Sequence, residues 1–415
     1  MLPPLTCGTP LALFLVFLLA YTLSQFYRSF LAVIAPGLAV ELGLSASDLA
    51  NMSAAWFAVF AAVQFPLGVA LDRIGPRRTV PALMLAAVAG ALLLANANSP
   101  AACIAANALI GLGCSPIYMG ALYYLGRTVS PARFGFVSAC LLGFGTIGNL
   151  LAATPLSMAA LQFGWRATFV FIAVLTLAAA ALFWVLVRDP PVLTQPRGKA
   201  SAVAELAQII RLPGLWALMP LLLLGYAAIV VERGLWLGPY FAEVHGLSGV
   251  ALGNAALAMA AAMSAGALLF GYVDRLLPGR HMLLIVLGSL LSAGGFVLLA
   301  AIPKPSVSIA TATLAFVGCM GLCQPLLFAH ARRFFPEHLL GRGMTFANFL
   351  TIGGSGLVQW ATGALVARQH AAGAAPADVY AALHLVFAAI ITAATLVYLL
   401  APRRTTRDAA AAGQT

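Results

Sequence analysis

Charged residues are scarce in this sequence. Only 8% of its 415 residues are Asp, Glu, Lys or Arg, whereas a soluble protein carries roughly 25%. This composition therefore cannot build a water-facing surface. Acidic residues are the scarcest, 11 against 22 basic ones. Because no hydrophilic domain carries the excess basic charge, we expect no nucleic-acid partner. No loop or span holds residues with the spacing of a nucleophile, a metal site or a phosphate-binding loop, so we predict no enzyme, no cofactor and no resident metal.

Long apolar runs are abundant instead. Hydrophobic residues make up 62% of the chain, and its mean hydropathy is +1.00. A hydropathy window of about 19 residues predicts twelve transmembrane helices, near residues 11–36, 48–71, 79–97, 101–126, 134–155, 166–187, 215–241, 250–272, 281–301, 307–331, 343–366 and 379–401. The start of the chain has no basic segment and no cleavage site, so we expect the first span to remain in the mature protein. The predicted fold class is an all-α, polytopic membrane protein.

The domain organisation follows from the polar stretches between these spans. Residues 1–187 form a predicted N-terminal six-helix bundle, and 214–402 form a second one. Between them, 188–213 is a cytoplasmic linker with a short amphipathic helix near 201–211. A polar cytoplasmic tail, 403–415, is predicted to be disordered.

Basic residues predict the orientation in the membrane. Seventeen of the 22 Lys and Arg residues lie in one set of loops or at its span ends, at positions 73, 77, 78, 127, 133, 188, 197, 199, 211, 275, 280, 332, 333, 342, 403, 404 and 407. The opposite loops hold only Arg166, Lys304 and Arg368. The positive-inside rule makes the first set cytoplasmic, together with both termini. We therefore expect a multi-pass protein of the cytoplasmic (inner) membrane.

The two halves resemble each other, as the halves of transporters built from repeats do. In the first span, YTLSQFYR (21–28) matches YAAIVVER (226–233) in the seventh. Tyr21 and Arg28 are seven residues apart, and so are Tyr226 and Arg233. Seven residues are close to two helical turns, so each tyrosine shares a helix face with its arginine.

The loop after the second span reads GVALDRIGPRR (68–78). It resembles the signature loop of the major facilitator superfamily, and GYVDRLLPGR (271–280) after the eighth span resembles a degenerate second copy. The resemblance implies a secondary transporter with two pseudo-symmetric bundles, in which these loops act as a conformational latch. The latch residues it implies are Gly68, Asp72, Arg73, Gly75, Arg77, Arg78, Asp274 and Arg275. Physically, we expect Gly68 to allow close helix contact and Asp72 to face the N-terminus of another helix. The arginines would anchor the loop at the anionic membrane surface.

Arg28, Glu232 and Arg233 are charged residues inside predicted spans. Arginine stays protonated, so it must face water or a partner. Two structural explanations remain open: snorkelling to the membrane surface, and an ion pair in which Glu232 neutralises Arg28 or stays near Arg233. The functional explanation is a clamp for an anion, with one arginine from each half. It resembles the organophosphate and organic-anion branches of the superfamily. The predicted substrate-binding residues are Arg28, Arg233, Tyr21, Tyr226, Gln25, Trp236, Gln324 and His330, and Glu232 is the predicted proton-coupling residue.

The predicted function is secondary active transport of a small organic anion by alternating access, as symport with a proton or as exchange. The expected partners are this solute, a coupling proton where there is one, and the lipid bilayer, and we expect a monomer. One alternative is a proton-coupled exporter of drugs or amphipathic compounds, although Asn107 stands where such exporters often carry an arginine. Another is a copper importer, because Met259 and Met263 are one helical turn apart and thioethers bind Cu(I). A third is a membrane sensor or scaffold without transport.

Overall fold

The computed structural model describes residues 11–189, 207–212, 214–277, 279–336 and 339–401. This part of the chain forms helices without strands, and twelve of its helical segments are long and apolar enough to cross a membrane. The all-α, twelve-span prediction is confirmed. Spans 1 to 6 are Leu11–Ser29, Ala46–Gln64, Pro76–Ala95, Pro100–Thr128, Cys140–Phe163 and Trp165–Leu186. Spans 7 to 12 are Leu215–His245, Gly249–Leu276, His281–Ala301, Val307–Arg332, Arg342–Ala371 and Pro376–Tyr398.

Several helices differ in detail from a continuous span. Span 1 is followed by a second helix, Leu31–Leu42. The helix that contains span 2 is longer than the span and extends over Ala46–Arg73. Span 5 comprises the end of the helix Pro131–Gly145 and two further helices, Ile147–Leu151 and Thr154–Phe163. Span 10 consists of Val307–Gly321 and Gln324–Arg332, and the helix of span 11 begins earlier, at Leu340.

Local sequence signals explain where many helices begin. Ser45 and Asp48 form a reciprocal capping box at the start of span 2. The Ser99 side chain accepts a hydrogen bond from the backbone N–H of Ala102 in span 4, and Ser306 caps span 10 through Ile309. Spans 3, 4 and 12 place a proline at the first helical position, where its missing N–H has no intrahelical partner to lose.

The chain divides into two compact units. The first contains the described residues of Met1–Thr194, together with Leu237–Ala242 and Leu247–Leu257 from spans 7 and 8. The second contains the described residues of Gln195–Trp236, Glu243–Gly246 and Ala258–Thr415. The predicted division into 1–187, 188–213 and 214–402 stays a prediction.

The core of the first unit joins spans 1, 4 and 6. Phe17 packs edge-on against Phe183, with 5.0 Å between ring centroids, and lies 5.2 Å from Tyr124. Spans 1 and 5 approach so closely that a Cβ at Gly148 would overlap the carbonyl oxygen of Thr22. Small residues permit such contacts between membrane helices, where dispersion forces drive packing.

Parts of spans 7 and 8 belong to the first unit and contact its other helices directly. A Cβ at Gly238 would overlap the carbonyl oxygen of Ala32, in the helix that follows span 1. In span 8, Asn254 Oδ1 accepts a hydrogen bond from Thr154 Oγ1 at 2.8 Å.

Span 7 is the most irregular helix of the second unit. It contains two π-helical segments, Leu221–Gly225 and Glu232–Trp236, separated by the α-helix Tyr226–Val231. The wider π turns change the backbone hydrogen-bond pattern, and Thr351 Oγ1 donates a hydrogen bond to the carbonyl oxygen of Leu222 at 3.1 Å. The first π segment is thereby tied to span 11.

Some predictions fall on residues outside the described part of the chain. These are the tail, 403–415, most of the linker, 190–206, and the side chain of Asp72. Of the predicted amphipathic helix near 201–211, residues 207–210 are helical, and Ile209 is buried in the core of the second unit.

Candidate functional site

Arg28 lies at the end of the span 1 helix, where its charge is held among aromatic rings. Its guanidinium carbon is 5.2 Å from the ring centroid of Trp56 and 5.6 Å from that of Phe60, both in span 2. These two rings are stacked on each other, with 4.9 Å between centroids. Among the described residues, Arg28 has no acidic side chain at ion-pair distance, and its buried Nε has no hydrogen-bond acceptor.

Tyr21 and Gln25 lie on the same helix as Arg28 and are both buried. The Tyr21 ring contacts Tyr118 of span 4 at 5.1 Å between centroids. Arg28 interacts electrostatically with Cys114, one turn earlier in span 4. The predicted shared face of Tyr21 and Arg28 is therefore consistent with these contacts, because both side chains lie along span 4. Gln25 Oε1 is buried without a hydrogen-bond donor among the described residues.

Glu232 and Arg233 begin the second π-helical segment of span 7. Glu232 is fully buried and Arg233 is 5% exposed. The ion pair that the structure shows for Glu232 is with His384 of span 12, whose Nε2 is 3.7 Å from Glu232 Oε1. Neither Glu232 oxygen has a hydrogen-bond donor in the described part of the chain. The predicted partners of Glu232 were arginines, so His384 is a partner that the sequence did not identify.

The remaining predicted binding residues of the second unit are distributed over three places. Tyr226 and Gln324 line one pocket with Ser289 and Ser292. Trp236 is 1% exposed, and its Nε1 donates a hydrogen bond to Thr362 Oγ1 at 2.9 Å. It is therefore anchored to span 11.

His330 lies in a different cavity from Tyr226 and Gln324. Its Nδ1 is 2.6 Å from the Tyr398 hydroxyl, and the cavity is also lined by Arg280, His281 and Arg333. The structure thus groups His330 with basic residues at the loop ends of spans 9 and 10, not with the other predicted binding residues of the second unit.

Three further side chains form a group in the second unit that interacts with Glu232 through Tyr380. Tyr380 lies one helical turn before His384 on span 12, is fully buried, and interacts with both Glu232 and Glu243. Glu243 lies at the end of span 7, and its Oε2 is 3.3 Å from His370 Nε2 of span 11. Sequence reasoning missed this group, although the Tyr-x-x-x-His spacing on one face of span 12 was a usable signal.

The predicted latch loop of the first unit is organised by Asp189. The Asp189 carboxylate accepts a hydrogen bond from the backbone N–H of Arg77 at 2.8 Å, and Arg77 Nε donates to the carbonyl oxygen of Trp184 at 3.1 Å. Gly75 has φ +87°, and a Cβ there would lie 2.5 Å from the Asp189 carboxylate. A carboxylate at the N-terminus of span 3 is thus supplied by Asp189, a residue the sequence did not single out.

The other predicted latch residues show mixed outcomes. No described atom lies within 4 Å of a Cβ placed at Gly68, so the predicted close contact is not seen there. Arg73 and Arg78 are exposed. In the second loop Asp274 Oδ1 is 2.5 Å from His281 Nδ1, and Arg275 is exposed. The latch function itself stays a prediction.

The two methionines of the copper alternative pack inside the second unit. Met259 is fully buried and Met263 is 8% exposed. Side-chain carbons of both lie about 3 Å from the position of a Cβ at Gly318 in span 10. Among the described residues, no group of three or more His, Cys, Asp or Glu side chains is arranged to hold a metal ion. The methionine geometry is accounted for by packing.

Comparison with known proteins adds the family. The model of the Major Facilitator Superfamily matches residues 17–359. A chloramphenicol resistance protein of Streptomyces lividans is 28% identical over 315 residues, covering 74% of this chain and 76% of that protein. A probable sulfoacetate transporter of Cupriavidus necator is 23% identical over 176 residues, covering 42% of this chain and 41% of that protein, so this match spans less than half of that relative.

Solved structures agree on the fold. A bacterial homologue of the human lysosomal transporter Spinster superposes with a TM-score of 0.76 at 17% identity, covering 97% of this chain and 99% of that one. A D-xylose–proton symporter superposes with a TM-score of 0.74 at 15% identity, covering 95% and 99%. The twelve spans, the loop motif and the family match lead to one conclusion: this chain is a membrane transporter that belongs to the major facilitator superfamily.

Proposed function

We propose that this transporter moves a small organic anion across the cytoplasmic membrane by alternating access. The observation that carries the proposal is Arg28, a charged side chain inside an apolar bundle without an acidic partner among the described residues. Next to this positive charge, an anionic substrate binds more favourably than a neutral one.

The energetics of Arg28 support a binding role. Removing a charged group from water costs several kcal/mol even after relaxation. Contact with the Trp56 and Phe60 rings returns about 0.5–2 kcal/mol by cation–π attraction. The remainder is offset when a carboxylate, sulfonate or phosphonate accepts hydrogen bonds from the guanidinium, because such charge-assisted bonds are the strong ones.

Arg233 supplies the second positive charge in this proposal, and Glu232 couples it to protons. When no substrate is bound, ionised Glu232 offsets positive charge in the second unit through His384 and its neighbour Arg233. When the anion arrives, it replaces Glu232 in that role, and Glu232 takes up a proton. Symport of one anion with one proton follows, whereas exchange of two anions follows if Glu232 stays ionised.

Tyr21, Gln25, Tyr226, Trp236, Gln324 and His330 remain proposed contributors to binding. The latch role of Gly68, Asp72, Arg73, Gly75, Arg77, Arg78, Asp274 and Arg275 also remains a proposal, as do the monomeric state and the inner-membrane location with cytoplasmic termini. The anionic substrate class gains support from the relative named as a probable sulfoacetate transporter. We therefore take small sulfonates and carboxylates as the first candidates.

The test is uptake of radiolabelled anions into proteoliposomes that contain the purified protein. A panel of sulfoacetate, other short sulfonates and short carboxylates is screened with and without an inward proton gradient. We expect Arg28→Gln and Arg233→Gln each to lower uptake at least about thirtyfold, since losing one partner of a buried charge-assisted pair costs roughly 2–5 kcal/mol. The matched control is Arg368→Gln, which changes an exposed arginine and should leave uptake unchanged. Uptake that persists in both Arg28→Gln and Arg233→Gln contradicts the proposal.

Drug export is the second candidate, because the chloramphenicol resistance protein aligns with 74% of this chain. Expression in a drug-sensitive bacterial host distinguishes the two functions. If export of chloramphenicol is the function, expression raises the resistance of the host, and unlabelled anions do not compete with efflux. The anion proposal predicts no change in resistance.

A further inference from the structure

Two pairs of carboxylate and imidazole groups lie in the second unit, and they differ in their access to solvent. Glu232 and His384 are both fully buried, with 3.7 Å between Oε1 and Nε2. Glu243 and His370 are each 36% exposed, with 3.3 Å between Oε2 and Nε2. One pair is thus open to protons from outside the protein, and the other is enclosed by apolar helices.

Tyr380 is the side chain that connects the two pairs. It is fully buried on span 12 and interacts electrostatically with the Glu243 carboxylate. It also interacts electrostatically with Glu232. His384 follows Tyr380 by four residues on the same helix, about 6 Å along its axis, so both side chains lie on one face.

Packing alone does not explain these residues. A fully buried carboxylate without a hydrogen-bond donor costs several kcal/mol relative to an apolar side chain of similar size. The surrounding contacts hold the groups in place: the His384 ring stacks on Phe296 at 5.8 Å between centroids. Ionisable residues kept in an apolar span at such a cost mark proton relays or substrate pathways.

We propose that Glu243, His370 and Tyr380 form a proton relay that loads the buried Glu232–His384 pair. The inference rests on the proton-coupling role proposed above for Glu232. A proton from solvent binds to the Glu243–His370 pair. Glu243 passes it to the Tyr380 oxygen, while the Tyr380 hydroxyl gives its own proton to the Glu232–His384 pair, directly or through one water molecule. Tyr380 ends with one proton, as it began, and one proton has moved inward.

Other charged groups around the relay set its pH dependence. Near the buried pair this is Arg233, adjacent in sequence to Glu232. Near the outer pair they are His245, which is two residues from Glu243, and Lys304, with which His245 interacts electrostatically.

The experiment is a pH jump on the full-length protein in phosphatidylcholine vesicles, followed by time-resolved infrared spectroscopy. The carbonyl band of protonated Glu232 is identified by its loss in Glu232→Gln. We expect this band to grow after the acidic jump. In Tyr380→Phe and in Glu243→Gln the band should grow at least about tenfold more slowly, because a positioned acid–base group accelerates proton transfer by roughly 10²–10⁴. Its final amplitude should be retained, and His370→Asn should slow it as well.

Tyr398→Phe is the matched control, since Tyr398 is equally buried on the same span and lies outside the relay. Its band should grow at the wild-type rate. Wild-type rates in Tyr380→Phe and Glu243→Gln overturn the relay while leaving the proposed coupling intact. A wild-type protein whose Glu232 band does not change with pH overturns the coupling and the relay together. If Tyr380→Phe fails to fold, Glu243→Gln and His370→Asn, at partly exposed positions, decide the question.

Discussion

Arg28 and Glu232 differ in the side chains that surround their charged groups. Arg28 keeps its charge beside the faces of two aromatic rings, which a permanently protonated guanidinium can use. Glu232 lies against an imidazole, and both groups can change protonation state. A fixed charge suits recognition of an anion, and a titratable pair suits proton transfer. The chemistry of each residue type thus matches the role proposed for it.

Gly75 is the glycine whose replacement should harm this protein in two ways. Its backbone angles, φ +87° and ψ +160°, lie in a region that is almost restricted to glycine, where strain costs roughly 1–3 kcal/mol. An added Cβ would also meet the Asp189 carboxylate at 2.5 Å. We expect Gly75→Ala to lower the apparent Tm of the purified protein, measured by tryptophan fluorescence at a fixed heating rate.

Gly43 and Gly68 provide the matched controls. Gly43 has φ +64° but open space around it, so Gly43→Ala should cost only the left-handed backbone penalty of about 1–2 kcal/mol. Gly68 is helical with open space, so Gly68→Ala should be neutral or stabilising by up to about 1 kcal/mol. An apparent Tm for Gly75→Ala at or above that of Gly43→Ala contradicts the role of Asp189.

Glu41 gives a prediction about pH. The Trp165 indole donates a hydrogen bond to Glu41 Oε2 at 2.6 Å, and Arg166 also pairs with this carboxylate. These interactions hold the pKa of Glu41 below its ordinary value. The stability they add is therefore present above the ordinary pKa of about 4.3 and is lost as the pH falls through the lower, folded value.

The measurement is the apparent Tm of wild type and Glu41→Gln as a function of pH. The difference between them should be constant from about pH 7 to about pH 5 and should shrink toward about pH 3. It should also be small, because Glu41 and Arg166 are largely exposed and solvent screens their attraction. A difference in apparent Tm that does not change with pH contradicts this prediction.

At the scale of elements, the second π-helical segment of span 7 determines where Glu232 and Arg233 point. A π turn contains one more residue than an α turn. The side chains before it therefore point in a different direction, relative to those after it, than they would in a continuous α-helix. Such turns occur frequently at functional sites in helices. Here the segment begins with the charged pair itself and ends at Trp236, which is tied to span 11.

Deletion of Gly234 tests this element. Removing one residue should convert the π turn to an α turn and rotate Glu232 by about 100° relative to Trp236. We expect anion uptake in proteoliposomes to fall at least about tenfold, because the charged pair is misplaced. The helix content by circular dichroism should stay at the wild-type value. The control that preserves chain length is Gly234→Ala. Equal uptake by the deletion variant and Gly234→Ala contradicts a role for the π turn in positioning the charged pair.

At the scale of the whole molecule, the loops carry the information on orientation. Their basic residues lie almost entirely in one set of loops, which is the arrangement that directs membrane insertion. In the described structure, Arg275 and Lys304 are exposed and lie beyond opposite ends of span 9. They are convenient positions for testing the proposed topology.

The topology test uses single cysteines in a background from which the natural cysteines have been removed. Lys304→Cys should react with a membrane-impermeant maleimide in intact cells, since its loop is predicted to face outward. Arg275→Cys should react only after the membrane is permeabilised. Labelling of Arg275→Cys in intact cells would show that the orientation is opposite to the predicted one.

The sequence was sufficient for the twelve spans, the family and the presence of charge inside the membrane, because each depends on local chemistry. Apolar runs of about 20 residues must be helices in a bilayer, and the GVALDRIGPRR motif is contiguous. The sequence was not sufficient to identify the partner of Glu232, since His384 is distant in sequence. Asp189 was missed for the same reason, although it lies directly on the predicted loop in space.

Local composition therefore determined that this protein crosses the membrane and which residues carry charge there. The tertiary structure decided which side chains meet: Arg28 with Trp56 and Phe60, and Glu232 with His384. It also placed His330 in a cavity apart from Tyr226 and Gln324. The physical reason is that hydropathy and helix propensity are properties of neighbouring residues, whereas partners of buried charges are fixed by how separate helices rotate and pack.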